Sequence, residues 1–255
     1  MKLIPWNCFG EIEAYTTTKI GPENNSFNMS YNDDNHDLVL NNRIALATFL
    51  NTDLNHMVAT IQKHTTNFIE VNINDGGKGM YSKEDAFNNY DAMYTKDSNL
   101  YLLSFHADCC PVLLYCRDKK IIAEIHSGWK GTVNEIVGKV TKHLIDNEKC
   151  NPEHIYAYIG PSIEERNFEA KDDIIHLVKQ MSFDTSSFYK KKDDHSYLLN
   201  SKGLIKQQLL NLKVKDENIT VSPYCTIENN DLFYSYRKEK TNLRNITIIK
   251  RNDID

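Results

Sequence analysis

The sequence predicts a mixed α/β fold in which layered, mixed β-sheets are covered by helices, within a single domain spanning residues 1–255. The central apolar runs "LYLLSF", "PVLLYC" and "KIIAEIH" are short and rich in residues that favour strands. From Thr132 onward the apolar period becomes helical, and strand-like and helix-like segments then alternate. A chain of 255 residues with 40% hydrophobic content is sufficient to bury a sizeable core.

The segments before the centre predict one helix and two strands. Apolar residues recur at helical spacing in "DLVLNNRIALATFLN" (37–51), whereas "MVATIQ" and "FIEVNI" are typical of strands. His64 lies in the connection between those two strands. The polar segment 19–37 predicts loops, and the glycine-rich segment 74–95 predicts an irregular connection.

The segments after the centre alternate in type. One face of the helix that begins near Thr132 carries Val133, Ile136, Val137, Val140 and Leu144. The later helices are predicted in "NFEAKDDIIHLVKQM" and in "SKGLIKQQLLNL", which has Asn200 or Ser201 as its N-cap. The later strands are predicted in "HIYAYIGPSI", "SYLLN", "NITVSP", "FYSYRK" and "NITIIKR".

Charge and cysteine content exclude several classes of protein. The formal net charge is -5, and acidic and basic residues are interleaved, so we expect neither a nucleic acid nor a membrane as partner. No apolar window reaches the roughly 18 residues of a spanning helix, and the N-terminal residues lack a secretion signal. The six scattered cysteines include no Cys-x-x-Cys pair. These features predict a cytoplasmic protein with reduced thiols.

Three side chains at predicted strand ends or connections suit a catalytic metal. His64, Cys109 and His126 offer two imidazoles and a thiolate, and zinc enzymes use three such ligands with a fourth position left for water. However, separations of 45 and 17 residues match no compact zinc finger. The spacing alone therefore leaves structural roles open for all three.

The string "ADCCPVLLY", followed by "IAEIHSGWKG", resembles the core signature of the laccase-domain family, also called the polyphenol oxidase family. Further matches follow in the same order along nearly the whole chain. They are "NNR" (41–43), "IQKH" (61–64), "YDAMYT" (90–95), "IGPSI" (159–163), "NFEA" (167–170), "CT" (225–226) and "FYSYR" (233–237).

The resemblance implies a single α/β domain with one catalytic metal, usually zinc, held by His64, Cys109 and His126. It also implies phosphorolysis of purine nucleosides, including adenosine, inosine, guanosine and methylthioadenosine, together with adenosine deamination. The family's older assignment is copper-dependent phenol oxidation. The chain contains no His-x-His motif, which a multicopper laccase requires, so we expect zinc rather than copper.

Phosphorolysis requires cationic groups that hold phosphate beside the nucleoside. We predict substrate-binding roles for Arg43, Lys130 and Arg237, of which Arg237 is preferred and is also assigned a catalytic role, because guanidinium binds phosphate through two parallel hydrogen bonds. Asp108 is predicted to transfer a proton or to orient a metal-bound imidazole. Lys19 replaces an arginine that is usual in the family, and substrate preference could differ accordingly.

Two alternatives from other classes remain. Cys109 could act as the nucleophile of a hydrolase, with His126 as its base. A metal-stabilised binding protein without catalytic activity would also use the three ligands. A glycine that is usual near the C-terminus of the family is replaced by Leu243, beside Arg244, which is a second departure from the family's pattern.

Overall fold

The computed structural model describes residues 1–32 and 35–253. These residues form fifteen strands and six helices. The strands are β1 (Leu3–Pro5), β2 (Ile12–Thr17), β3 (Met57–Ile61), β4 (Phe68–Glu70), β5 (Phe87–Asn88), β6 (Ala92–Thr95), β7 (Tyr101–His106), β8 (Cys110–Cys116), β9 (Ile121–Ser127), β10 (Ile155–Ile159), β11 (Glu169–Lys171), β12 (Tyr189–Lys191), β13 (Ser196–Leu199), β14 (Ile219–Val221) and β15 (Asn245–Arg251). The helices are α1 (His36–Phe49), α2 (Trp129–Val133), α3 (Ile136–Asp146), α4 (Asp172–Val178), α5 (Ser201–Asn211) and α6 (Tyr236–Glu239).

The strands form two six-stranded sheets and a small third sheet. The first sheet has the order β1-β2-β15-β7-β3-β5, the second has the order β14-β10-β8-β9-β6-β4, and the third has the order β11-β13-β12. Both large sheets contain parallel and antiparallel pairs. The predicted mixed α/β class is therefore confirmed. No helix within the described chain has the length and apolar character needed to cross a bilayer.

Apolar side chains join the two large sheets face to face and attach helices to their outer faces. Between the sheets, Val58 and Leu102 of the first sheet belong to the same cluster as Leu113 and Ile122 of the second. Helix α1 packs on the other face of the first sheet. Helices α3 and α5 pack on the other face of the second sheet. Each large buried side chain contributes about 1.5–3 kcal/mol through removal from water, so these interfaces fix the layers.

Strand register places the three predicted metal ligands near one another. Strands β8 and β9 form an antiparallel hairpin in which Cys110 lies opposite Ser127 and Pro111 lies opposite His126. Cys109, which immediately precedes β8, is therefore close to His126 at the open end of the hairpin. The connection from β3 in the first sheet to β4 in the second contains His64, and the connection from β7 to β8 contains Cys109.

Three of the predicted elements differ in type or length. The helix predicted from near Thr132 is divided into α2 and α3 at Glu135, whose φ of 60° interrupts it. Hydrogen bonds account for the other two differences. "FYSYRK" contains no strand but leads into α6, because Ser235 accepts a hydrogen bond from the Lys238 amide and the Glu239 carboxylate accepts one from the Ser235 amide. The helix predicted over 167–181 is shorter, since its first part forms β11 and pairs with β13. In both places, hydrogen bonds that the apolar pattern does not encode decide the structure.

Some strands lie in segments predicted as irregular. Strand β6, within the segment 74–95, is buried at every residue, so it lacks the alternation that marks a half-buried strand. Strand β2 lies before the predicted loop 19–37, where the sequence pattern predicts no element, and its Ile12 and Ala14 alternate with less buried residues. Residues 33 and 34 of the predicted loop 19–37 lie outside the described residues.

Glu124 on β9 is a buried carboxyl group between the two sheets. The residue is 1% exposed, and its Oε1 atom has no hydrogen-bond partner among the described residues. Burial raises the pKa of Glu124 to about 8, although the nearby Ser104 hydroxyl and the charge of His126 act in the opposite direction. The carboxyl group is therefore protonated, and neutral, over much of the physiological pH range.

We predict that the contribution of Glu124 to the free energy of unfolding decreases between about pH 5 and pH 8. The unfolded chain releases the Glu124 proton near the ordinary pKa of 4.5, whereas the folded protein retains it up to about pH 8. Glu124→Gln should reduce this decrease by about 1.4 kcal/mol for each unit of pKa shift that it removes. Urea denaturation at several pH values measures the effect, with the exposed Glu217→Gln as control. Equal pH slopes for wild type and Glu124→Gln would contradict the prediction.

Candidate metal centre and active site

His64, Cys109 and His126 converge as predicted. One ligand atom from each lies within 4.8 Å of the others, and the Cys109 Sγ atom is 3.7 Å from the His64 Nε2 atom. Within residues 1–32 and 35–253, no other group of three or more His, Cys, Asp and Glu side chains is placed to share a metal ion. His126 is buried, Cys109 is half-buried and His64 is exposed. Two imidazoles and a thiolate at a surface opening fit zinc with an open coordination position.

Asp91 holds two of the three ligands in place. Its Oδ1 atom accepts hydrogen bonds from His126 Nδ1 at 2.9 Å and from the His64 amide at 3.0 Å. Its Oδ2 atom accepts from the Lys63 amide, the Thr65 amide and the Thr65 hydroxyl. The bond to Nδ1 leaves the His126 Nε2 atom for a metal, which is the arrangement in which a carboxylate orients a ligating imidazole.

The charges of these side chains support one another. Burial alone would raise the pKa of Asp91, but hydrogen bonds from His126 and from backbone amides lower it to about 2. Burial also opposes ionisation of Cys109 and His126, yet their mutual attraction lowers the pKa of the Cys109 thiol and raises the pKa of His126. Cys109 is therefore disposed to be a thiolate, which both metal ligation and nucleophilic attack require.

Gly128 leaves room for the cluster. A Cβ atom at this position would lie 2.5 Å from His64 Cδ2 and 3.1 Å from Cys109 Sγ. Even alanine would therefore displace a ligand. Gly128 is also the N-cap residue of α2, so the turn that follows His126 brings its backbone against the other two ligands.

The turns that carry His64 and Cys109 are fixed by specific contacts. His64 and Asp108 both have positive φ, of 59° and 86°, which non-glycine residues adopt infrequently. The Gln62 side chain exchanges two hydrogen bonds with the Phe105 backbone and so joins the ends of β3 and β7. The Asp108 carboxylate accepts from the Thr226 hydroxyl and from the Arg237 amide, both at 2.6 Å. Asp108 therefore ties the turn before Cys109 to the C-terminal region.

The three ligands line a cavity of about 490 Å³. Although the chain has a formal net charge of -5, the described lining contains four Lys or Arg side chains and no Asp or Glu. The basic residues are Arg43, Lys63, Lys83 and Arg244. This distribution favours an anionic ligand beside the metal centre.

The predicted cationic residues occupy different positions. Arg43 lines the cavity, but its guanidinium donates four hydrogen bonds to the carbonyl oxygens of Met29, Gly79 and Met80. Lys130 and Arg237 are exposed and are not among the described residues that line the cavity. The Arg237 guanidinium instead donates to the Glu169 carbonyl oxygen, at 3.3 and 3.4 Å. Arg43 is thus the one member of this set that the cavity brings near the ligands.

Sequence reasoning missed Asp91 as a functional residue. The residue lies inside the matched motif "YDAMYT", which marked its position without indicating a partner. Its contacts are 25 or more residues away along the chain. Arg244 was noted only as the neighbour of Leu243, and the cavity lining is the signal that identifies it.

We predict that Asp91→Asn weakens zinc binding by about 10- to 100-fold, because His126 loses the carboxylate that orients it. Competition with a chromogenic chelator measures the affinity. Asp97→Asn is the matched control, since that carboxylate also accepts a backbone hydrogen bond, from the Ile73 amide, but outside the site. Unchanged zinc affinity in Asp91→Asn would show that the carboxylate does not support the ligands.

A second prediction concerns Gly128→Ala. The added methyl group would overlap His64, so zinc affinity should decrease by at least tenfold, an effect of about 1.4 kcal/mol. Gly138→Ala provides the control, because a Cβ atom there would meet its nearest neighbour at an ordinary 3.6 Å within helix α3. Zinc titration of both variants tests the effect. Wild-type affinity in Gly128→Ala would mean that His64 is not confined by this glycine.

The chain is similar to proteins of known name and structure. It is 33% identical over 202 residues to "Purine nucleoside phosphorylase YlmD" of Bacillus subtilis, covering 79% of this chain and 73% of that protein. It is 34% identical over 217 residues to the protein of the same name from Staphylococcus aureus, covering 85% of this chain and 81% of that one.

Two solved structures share the fold. The Bacillus licheniformis hypothetical protein YfiH has a TM-score of 0.94 at 28% identity, covering 98% of this chain and 96% of that one. YlmD from Geobacillus stearothermophilus has a TM-score of 0.91 at 28% identity, covering 96% and 93%. The family described as "Multi-copper polyphenol oxidoreductase laccase" matches residues 14–252. With the signature around Cys109 and His126, these likenesses show that the chain belongs to this laccase-domain family.

Proposed function

We propose that the protein is a cytoplasmic, zinc-dependent purine nucleoside phosphorylase that accepts adenosine, inosine, guanosine and methylthioadenosine and also deaminates adenosine. The observation that carries the proposal is the opening of the His64, Cys109 and His126 cluster into a cavity with a cationic lining. The names of the relatives from Bacillus subtilis and Staphylococcus aureus support the same reaction. The six free cysteines are consistent with a reducing compartment.

Phosphorolysis sets clear requirements for the site. A phosphate oxygen forms a bond to C1′ of the ribose while the C1′–N9 bond breaks. The electron pair of the C1′–N9 bond leaves with the purine, which takes up a proton. Bound zinc would supply a Lewis acid at His64, Cys109 and His126. The cationic lining holds phosphate near the ribose, which favours phosphate over water as the nucleophile.

The ligand set argues against multicopper oxidation. A multicopper oxidase requires a separate cluster of histidine ligands besides its mononuclear site. Across the described residues, one group alone has the composition and spacing for a metal, and it supplies two imidazoles and one thiolate. A single N, S, N set matches the zinc proposal better than the multicopper description of the family.

Asp108 and Arg237 are proposed to act together at the edge of the site. The Asp108 carboxylate is occupied by the Thr226 hydroxyl and by the Arg237 amide. These bonds support a role for Asp108 in positioning Cys109. We propose this role in addition to the predicted role of Asp108 in proton transfer. Arg43 is proposed to shape the cavity wall, and Lys130 to act on substrate from outside the described lining.

A cysteine-dependent hydrolase is the second candidate, and the Cys109–His126 pair favours it. The lowered pKa of the Cys109 thiol beside a basic imidazole is typical of an activated nucleophile. The two candidates differ in their need for metal. A hydrolase of this type would keep its activity after zinc is removed, whereas the phosphorylase would lose it.

We predict that Cys109→Ala loses stoichiometric zinc and loses phosphate-dependent release of hypoxanthine from inosine by at least 100-fold, because one of three ligands is removed. Cys110→Ala is the matched control, since Cys110 packs in the apolar core on the second sheet. Elemental analysis and a coupled hypoxanthine assay, with and without phosphate, give the two readouts. Ammonia release from adenosine tests deamination separately.

Three outcomes would contradict the proposal. Zinc retention and full turnover in Cys109→Ala would exclude Cys109 as an essential ligand. Hydrolytic activity of the wild type that survives chelation but is abolished by thiol alkylation would favour the hydrolase. Absence of phosphate-dependent purine release from every nucleoside tested, in zinc-loaded protein, would leave a metal-stabilised binding protein.

A further inference from the structure

The four basic residues of the cavity differ in how many of their donors the protein already uses. The Arg43 guanidinium donates four hydrogen bonds to backbone carbonyl oxygens. Lys83 donates to the Asn32 side chain at 3.0 Å. None of the four cations has a carboxylate within 4.0 Å of its charged group among the described residues. The Lys63 amine makes no hydrogen bond there, and the Arg244 guanidinium donates only from its Nη1 atom. These two cations therefore keep the most donors available to an incoming anion.

Arg244 is held in one orientation by its surroundings. Its Nη1 atom donates to the Thr241 carbonyl oxygen at 2.9 Å and to the Leu243 carbonyl oxygen at 2.8 Å. The guanidinium carbon also lies 6.0 Å from the centre of the Tyr236 ring, and Tyr236 lines the same cavity. Its Nε and Nη2 atoms have no acceptor among the described residues. The free edge of the guanidinium is thus preorganised without being occupied.

Arg244 is half-buried, and no carboxylate lies within 4.0 Å of its guanidinium among the described residues. Burial lowers the pKa of Arg244, and the charges of Cys109 and Asp108 act in the opposite direction. A half-buried guanidinium without a carboxylate partner is unfavourable unless an anion completes its surroundings. Arg244 and Cys109 line the same cavity.

We propose that Arg244 is the residue that binds the inorganic phosphate co-substrate, with Lys63 as a second cation, between the guanidinium and the cluster of His64, Cys109 and His126. This inference rests on the proposed phosphorylase function and assigns its phosphate subsite. A guanidinium edge matches two phosphate oxygens geometrically, whereas the Lys63 amine adds a flexible point charge. Lys63 is adjacent in sequence to His64, so the phosphate would lie beside a metal ligand.

The subsite would orient phosphate for attack on the nucleoside. A phosphate anchored by Arg244 keeps one oxygen directed toward C1′ of the ribose, where the new C–O bond forms as the C1′–N9 bond breaks. The developing positive charge on the ribose is then opposed by the phosphate itself. The nucleoside occupies the remaining cavity, which Tyr31 and Phe105 also line.

The test compares Arg244→Gln and Arg244→Lys with wild type in steady-state kinetics. Arg244→Gln should raise the KM for phosphate by about 10- to 100-fold, the loss expected for charge-assisted hydrogen bonds, and change the KM for inosine by less than threefold. Arg244→Lys keeps the charge without the planar edge and should give an intermediate KM for phosphate. Arg117→Gln is the control, because Arg117 lies in the turn at the opposite end of β8 from Cys109.

A binding measurement separates this inference from the proposed function. Titration calorimetry of zinc-loaded protein with inorganic phosphate alone should show binding to wild type and a matching loss in Arg244→Gln, with unchanged zinc content in both. Arg244-dependent phosphate binding without any phosphorolysis would overturn the proposed function and leave the subsite standing. Phosphorolysis with a wild-type KM for phosphate in Arg244→Gln and Arg244→Lys would overturn the subsite and leave the function. Arg244-dependent binding of adenosine monophosphate, but not of inorganic phosphate, would also overturn it.

Discussion

The buried carboxylate of Asp91 is the interaction on which the site depends. It accepts five hydrogen bonds, from the turn that carries His64 and from the ring of His126. A carboxylate that is shielded from water is stable only when such donors surround it. The same bonds orient the His126 ring and fix the backbone of the turn that carries His64 before any ion binds, so part of the site is ordered during folding.

The local pattern of the sequence predicts much of the fold. Short apolar runs identify β7, β8 and β9 because those strands are buried on both faces. The resemblance to the family, rather than the spacing, points to His64, Cys109 and His126, which the structure places within 4.8 Å of one another. The pattern does not reveal Asp91, because its function arises from partners that are distant in sequence. Nor does it reveal α6, whose start is set by the bonds of Ser235 rather than by apolar spacing.

Charged residues show the limit of sequence reasoning most clearly. The sequence does not distinguish an arginine whose guanidinium donates to carbonyl oxygens, as that of Arg43 does, from one whose guanidinium keeps an edge of free donors, as that of Arg244 does. Motif matches favoured Arg237, yet its guanidinium lies on the Glu169 carbonyl oxygen. The burial and the hydrogen-bond partners of each guanidinium in the folded structure distinguish these cases.

The chain passes from the first large sheet to the second at both His64 and Cys109, and His126 belongs to the second sheet itself. An ion held by all three would therefore cross-link the two large sheets. Binding of the ion would thereby stabilise the packing of the two sheets, because the same three side chains hold both. A cell that limits the supply of this ion would alter the lifetime of the folded protein together with its chemistry.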